Sequence, residues 1–446
     1  MKKLLALCLT LALIAGMMGA MAGSAVADGE KVHLVFAERY GSTTRTAALR
    51  ALLDEFEAEN PDIEIELISP PLESSQQKIT QMLMAKNQLD LLEVTSWERA
   101  QYIENGWLYN LKDFFTDYAE QETFTDSVKS SLATTDGSIY CMPLGCYERM
   151  IYYRVDWMKE LGLEFPEPGE EWTFDALYDI AKAMTDPEKG RYGWALRGGG
   201  NSYQQFVQQV ALAALGFDNL LSEYEPLFTK EGTSIYRTEA AKKGIEFQLK
   251  FYKDCSPADS VAWLFSDQVN AFSSGICGML MQDCDCIGSF VDSMEEGTWA
   301  TYPMPIDAVT KEATIGRGFD GWGMPSYTEH PEEAWRVLAF LGSAEINARF
   351  CKEYGVIPVH TTAAEYEESF STGYYAPYIY MFSHPEYYKS SGGVDLPYTS
   401  YSSEFGKSSD VDLQNILLGN ADIDEVLEKW AEGWEEQREE YGGYEG

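Results

Sequence analysis

Val32-His33-Leu34-Val35-Phe36, then Glu38-Arg39-Tyr40-Gly41-Ser42-Thr43-Thr44, then Leu49-Arg50-Ala51-Leu52-Leu53-Asp54-Glu55-Phe56, Asn60-Pro61 and Ile63-Glu64-Ile65-Glu66-Leu67 follow one another early in the chain. Val32, Leu34 and Phe36 alternate, as in a short buried strand. The polar run from Glu38 breaks the alternation. Leu49, Leu52, Leu53 and Phe56 recur at helical spacing, which gives that segment one apolar face. Asn60-Pro61 stops the helix, because the residue before a proline is pushed out of the helical region. Ile63, Ile65 and Leu67 alternate again. Strand, helix and strand in this order make a βαβ unit, whose strands run parallel. Open parallel sheets bind ligands in the crevice beyond the carboxyl ends of their strands. The loop carrying Arg39 and Tyr40 lies at such an end.

Further along, Gln76 to Lys86 reads as a helix and Leu89 to Val94 as a strand that ends at Thr95-Ser96-Trp97-Glu98. Thr173 suits the cap of a helix from Phe174 to Met184. Helices are also expected over Gln204 to Leu215, Thr238 to Tyr252, Pro331 to Phe340 and Ile423 to Tyr441, with a strand at Gly278 to Met281. The Tyr-, Ser- and Pro-rich stretch Gly373 to Phe405 reads as loop. No internal repeat and no clean linker divides the chain.

Residues 1–27 read as an export signal: Lys2 and Lys3, an apolar run from Leu4 to Met18, and Ala25-Val26-Ala27 as a small-residue cleavage site. The run is shorter than the ~20 apolar residues of a spanning helix, and no later stretch is long and apolar enough. Cys8 falls too early for lipid attachment, and no cysteine adjoins the cleavage site. The mature chain is therefore expected in the periplasm or at the cell exterior, without a lipobox. What remains suffices for two domains. With 33 basic and 72 acidic residues the net charge is −39. That argues against nucleic acid and anionic membrane surfaces as partners and fits a solvated surface on an exported protein. Cys141, Cys146, Cys255, Cys277, Cys284, Cys286 and Cys351 are odd in number and widely spread. They read mostly as small buried hydrophobes, with room for one disulfide.

Several phrases point one way together. They include Leu49 to Phe56 with Asn60-Pro61-Asp62-Ile63-Glu64-Ile65, Gly106-Trp107-Leu108-Tyr109-Asn110-Leu111, and Ile139-Tyr140-Cys141-Met142-Pro143-Leu144 with Met150-Ile151-Tyr152-Tyr153-Arg154. Trp172-Thr173-Phe174-Asp175-Ala176-Leu177, Gly193-Trp194-Ala195, Phe272 to Met279 and Pro331-Glu332-Glu333-Ala334-Trp335 follow. Their order and spacing resemble the extracellular solute-binding proteins of bacterial ABC importers, in the sugar-binding branch related to maltose-binding protein. The resemblance spans nearly the whole mature chain. It implies an α/β, two-lobed periplasmic-binding-protein-like fold, each lobe a mostly parallel sheet flanked by helices, with a hinge between. It puts residues 28–143 and 299–355 in the first lobe and 144–298 and 356–446 in the second. Crossings are expected near Pro143 to Tyr147, Trp299 to Pro303 and Gly355 to Pro358. A carbohydrate, expected to be an oligosaccharide, would bind between the lobes and favour hinge closure. The closed form would dock on a membrane permease, with the ATPase subunit engaged only indirectly. The chain is expected to act as a monomer, without cofactor or metal and without catalysis. One departure is Ala85-Lys86-Asn87-Gln88-Leu89-Asp90, which lacks the glycine and proline that relatives commonly carry before that aspartate.

A sugar offers a C–H ring face and an edge of hydroxyls, which aromatic platforms and planar hydrogen-bonding groups match. Trp97 and Glu98 at a strand's carboxyl end suit stacking and hydroxyl recognition, or packing under a loop. Arg39 and Tyr40 occupy the first such loop. Tyr147 and Glu148 follow the first crossing, as ligand contacts or hinge packing. Asp283 and Asp285 follow the strand at Gly278 to Met281, and Asp320 and Trp322 follow the return to the first lobe, Trp322 as platform or core. Gly316-Arg317-Gly318-Phe319-Asp320-Gly321 formally matches a dinucleotide fingerprint, but Pro325 comes too soon for the required helix. Asn420-Ala421-Asp422-Ile423-Asp424 hints at a calcium loop, yet Glu425 stands where the turn glycine belongs. Two other readings stay open at this point: an exported carbohydrate-active hydrolase, and the same fold binding a polyamine or another small solute.

Overall fold

The computed structural model describes residues 31–442 apart from 135, 201, 223–224, 317–318 and 392–398. The export segment expected at 1–27 lies outside the described residues. β1 (Val32–Ala37) pairs in parallel with β2 (Ile63–Ile68), Val32 opposite Ile63. Leu34, Val35, Phe36 and Ala37 are all buried, as expected of an inner strand covered on both faces. The helix Thr43–Glu59 joins them. Its cap, Ser42, accepts from the Arg45 backbone N–H at 3.2 Å, and its buried face is Leu49, Leu52, Leu53 and Phe56. The Asn60 side chain donates to the Phe56 carbonyl at 2.8 Å and closes the last turn before Pro61.

β3 (Leu91–Val94) lies parallel to β1 on its other side. β4 (Cys141–Gly145) completes a five-stranded sheet at the far edge, separated from β3 by an antiparallel strand that arrives late in the chain, β10 (Asp320–Gly323). The second sheet runs β6 (Tyr192–Trp194), β7 (Cys277–Asp283), β5 (Arg149–Arg154) and β8 (Trp299–Tyr302). A short parallel pair joins β9 (Ala313–Gly316) to β11 (Tyr388–Ser391). The fold is thus two α/β lobes, each with its own mixed sheet.

The first crossing falls between β4 and β5, at Cys146 to Glu148, because Pro143 to Gly145 still belong to the first sheet. The second is displaced. Trp299–Tyr302 is not part of the first lobe, because it pairs antiparallel with β5. The chain instead returns to the first sheet between Gly316 and Asp320. The third crossing is also drawn out. Ile357 pairs with Cys146, but Phe124 then bridges to His360 on the first-lobe side. Tyr374 reaches the second lobe, stacked on Trp299 with ring centroids 3.9 Å apart.

Two expectations need correction. Gly373 to Phe405 is not loop-dominated: it holds the helix Ala376–Ser383, β11, and the start of the helix Thr399–Leu417. Tyr378 and Met381 face the core there, and the Tyr388 hydroxyl donates to the Met304 carbonyl at 2.9 Å. Tyrosines that read as polar loop residues serve as buried packing with a satisfied hydroxyl. No disulfide forms among the described residues, whose seven cysteines are all buried. The suspected calcium loop is a helix cap, in which Asp422 accepts from the Asp424 and Glu425 backbone N–H groups. A second apolar cluster, with Tyr203, Phe405, Trp430 and Trp434, binds the last two helices to the second lobe. No described helix is long and apolar enough to cross a membrane.

Candidate functional site

The carboxyl ends of β1, β3, β4, β6 and β7 and the amino end of β10 converge on a cavity of about 430 Å³ between the two sheets. Tyr40 comes from the loop after β1, Ser96 from the turn after β3, and Tyr147 and Glu148 from the first crossing. Arg149 opens β5. Asp283 ends β7, and Asp285 follows it. Asp320 opens β10. Tyr40 and Tyr147 meet edge to face, 6.3 Å between ring centroids. Thr314 and Gly316 of β9, and Gln208, Gln209 and Leu212 of the helix Gln208–Leu215, close one side.

The carboxylates of this cavity are partly engaged already. Asp320 accepts from the Ser96 backbone N–H at 2.7 Å. Glu148 accepts from Arg149 N–H at 3.0 Å and Gly316 N–H at 2.5 Å, which ties the first crossing to the second. Asp283 faces Arg149 at 3.5 Å. Burial pushes Glu148 up to about 8 and Asp320 up to about 6. Burial, with the charge of Asp283 beside it, raises Asp285 to about 6. The Tyr147 hydroxyl and Asp285 Oδ1 are buried with no hydrogen-bond partner among the described residues. These two atoms can serve a bound molecule without giving up a hydrogen bond to the protein.

The expected residues divide. Tyr40, Tyr147, Glu148, Asp283, Asp285 and Asp320 line the cavity. Arg39 and Glu98 do not: both are buried beneath it, and Arg39 Nε donates to Glu98 at 3.0 Å. Trp322 is a core residue, 1% exposed, with its ring against Phe36 at 5.3 Å and Phe350 at 5.4 Å. Trp97 sits in the first turn of the helix Ser96–Glu104, and its side chain lies outside the described residues. Behind the wall, Glu93 accepts from the Arg39 and Tyr40 backbone N–H groups at 2.7 and 3.2 Å and from the Tyr354 hydroxyl at 2.9 Å. It thereby fixes the loop that presents Tyr40.

Arg45, Arg149 and Arg197 also border the cavity and were not anticipated. Arg197 was findable: the loop Arg197-Gly198-Gly199-Gly200 lies beyond the carboxyl end of β6, the same position that marks Arg39 and Tyr40. Arg45 is hidden in the first turn of an amphipathic helix. Among the described residues no group of three His, Cys, Asp or Glu is placed to hold a metal ion.

Residues 40–348 match the family model of the bacterial extracellular solute-binding proteins. A Brucella abortus protein named as a binding protein is 24% identical over 357 residues, covering 79% of this chain and 82% of that one. An ABC substrate-binding protein of Listeria monocytogenes, solved with cycloalternan, superposes with a TM-score of 0.75 at 17% identity, covering 92% of this chain and 100% of that one. The sugar-binding protein MalE of Xanthomonas citri does so with a TM-score of 0.72 at 15% identity, over 93% of this chain and 100% of its own.

Proposed function

This chain belongs to the bacterial extracellular solute-binding proteins, and from that premise we propose that it captures a carbohydrate between its lobes and delivers it to the permease of an ABC importer. The observation that carries the reading is the cavity itself. It lies where two sheets present their strand ends to each other, and it is walled by groups from both lobes and the crossings between them. A ligand touching both walls is bound more tightly by a closed form than by an open one, so binding and closure are one equilibrium. The Listeria protein was solved with cycloalternan and the Xanthomonas protein is named as sugar-binding, which supports the ligand class.

Tyr40 and Tyr147 are the proposed aromatic walls, in place of Trp322. Asp283, Asp285 and the outer faces of Glu148 and Asp320 are the proposed hydroxyl acceptors. Binding rather than hydrolysis is favoured, since Glu148 and Asp320 are held by backbone N–H groups. The protein is exported; cleavage after Ala27, action as a monomer and indirect coupling to an ATPase subunit belong to the same proposal. Calorimetry on a panel of glycans, paired with small-angle scattering, tests it. The expected result is saturable binding of a sugar with a fall in radius of gyration, and no product after prolonged incubation. Binding of spermidine in place of every sugar would overturn it.

A further inference from the structure

The proposed carbohydrate reading is narrowed by where this acidic chain leaves its arginines. Most of the others are matched with carboxylates, as Arg39 is with Glu98, Arg154 with Asp156 and Arg336 with Asp62, while Arg99 lies over the Phe319 ring away from the cavity lining. With 72 acidic residues in the chain, that is the expected fate of an arginine. Arg45 and Arg197 depart from it. Arg45 Nε donates to the Tyr354 carbonyl at 2.9 Å, and its guanidinium lies 4.2 Å from the centre of the Tyr354 ring. Arg197 donates to the Gly199 and Gly200 carbonyls at 3.1 and 2.5 Å and lies over Phe265 at 5.8 Å. Neither forms an ion pair with a carboxylate among the described residues. Both border the interlobe cavity, Arg45 from the first lobe and Arg197 from the second.

A guanidinium oriented by carbonyls and an aromatic face keeps its full charge. It can take an incoming oxyanion without releasing a partner first, and its planar fork matches a carboxylate. A neutral sugar closing into this cavity would offer these two guanidiniums hydroxyls alone, whereas a carboxylate offers each a charge-assisted, two-pronged contact. We propose that the cleft selects an acidic carbohydrate, one bearing hexuronate carboxylates, which Arg45 and Arg197 receive from opposite lobes while Asp285 accepts ring hydroxyls. Because the two cations sit on different lobes, the anionic ligand itself draws the lobes together. Asp285 faces both arginines and Asp283 also acts on Arg197, and burial disfavours the ionised form of Asp285.

The test is calorimetry with paired disaccharides of one linkage, each hexuronide against its neutral hexoside, for the galacto, gluco and manno series. Wild type, Arg45→Gln and Arg197→Lys are compared, each checked by circular dichroism for an unchanged fold. Arg197→Lys keeps the charge and the carbonyl contacts in reach but removes the fork. The expected result is a preference for one hexuronide of at least about tenfold. That preference should shrink in both variants and at raised ionic strength. A neutral hexoside bound as tightly as its hexuronide, or a preference unmoved by either substitution, would overturn the inference and leave the carbohydrate reading standing. No binding of any member of the panel would remove both.

Discussion

Cys146 and Ile357 exchange two backbone hydrogen bonds, of 2.9 and 3.0 Å, so that two segments crossing between the lobes form one antiparallel pair. Asn347 fastens this pair to the first lobe, donating to the Leu144 carbonyl at 2.7 Å and accepting from Val359 N–H at 3.1 Å. This part of the hinge is therefore a short paired ribbon. Its closeness depends on Gly145, where an added Cβ would stand 2.6 Å from Val356 Cγ2. Gly145→Ala is expected to cost about 1–3 kcal/mol of stability by overpacking. Val356→Ala in the same chain should recover part of that loss. Urea denaturation of the two single variants and the double variant measures the coupling, and strictly additive losses would contradict the contact.

Glu93 provides a pH dependence. It is fully buried, and desolvation, with the charge of Asp320 nearby, raises it to about 7. In the unfolded chain it should titrate near 4.3. Between these values the folded state holds a proton that the unfolded state has lost, so its contribution is present at low pH and fades as pH rises through about 7. Glu93→Gln keeps an acceptor for Arg39 and Tyr40 N–H and can donate to the Tyr354 oxygen. The variant should gain on wild type by about 1–3 kcal/mol between pH 5 and pH 8. Denaturation midpoints at those two pH values decide it; parallel losses in both proteins would count against a buried, titrating Glu93.

The stretch Ala85 to Asp90 has no glycine, and the structure shows the consequence at Lys86. It closes the helix Leu72–Ala85 at φ 50, ψ 42, in the left-handed region, with its N–H bonded to the Leu83 carbonyl. A side chain there is disfavoured by about 1–2 kcal/mol, partly offset by the entropy that glycine loses on folding. Lys86→Gly should raise stability by about 0.5–1 kcal/mol. A lower melting temperature in the variant would refute this.

Legibility followed periodicity and failed where contacts are long-range. The first βαβ unit could be read because Leu49, Leu52, Leu53 and Phe56 repeat at helical spacing and every one of them is buried. Trp322 looked like a platform because it follows the return to the first lobe. Its neighbours explain the error. Gly321 brings β10 so close to β4 that a Cβ would meet Cys141 Cβ at 2.7 Å, and the tryptophan between the glycines fills the core against Phe36 and Phe350. Arg39 and Glu98 were each placed correctly at a strand end, but nothing local indicates that they face each other. The late arrival of β10 in the first sheet, and of Trp299–Tyr302 in the second, is a matter of strand pairing that no local pattern encodes.

Tyr147 offers the sharpest separation of binding from stability. Its ring lines the cavity edge to face with Tyr40, while its hydroxyl is buried and has no protein partner among the described residues. An unmatched buried hydroxyl costs the folded protein free energy, so its removal should not weaken the fold. If the hydroxyl serves the ligand, Tyr147→Phe will lower affinity by about tenfold, from the ~1–1.5 kcal/mol of one hydrogen bond. The melting temperature of the unliganded protein should stay level or rise. Calorimetry and a thermal melt on the same preparation give both numbers. Unchanged affinity beside a raised melting temperature would place the hydroxyl outside the contact, and a fall in both would mean that it supports the hinge instead.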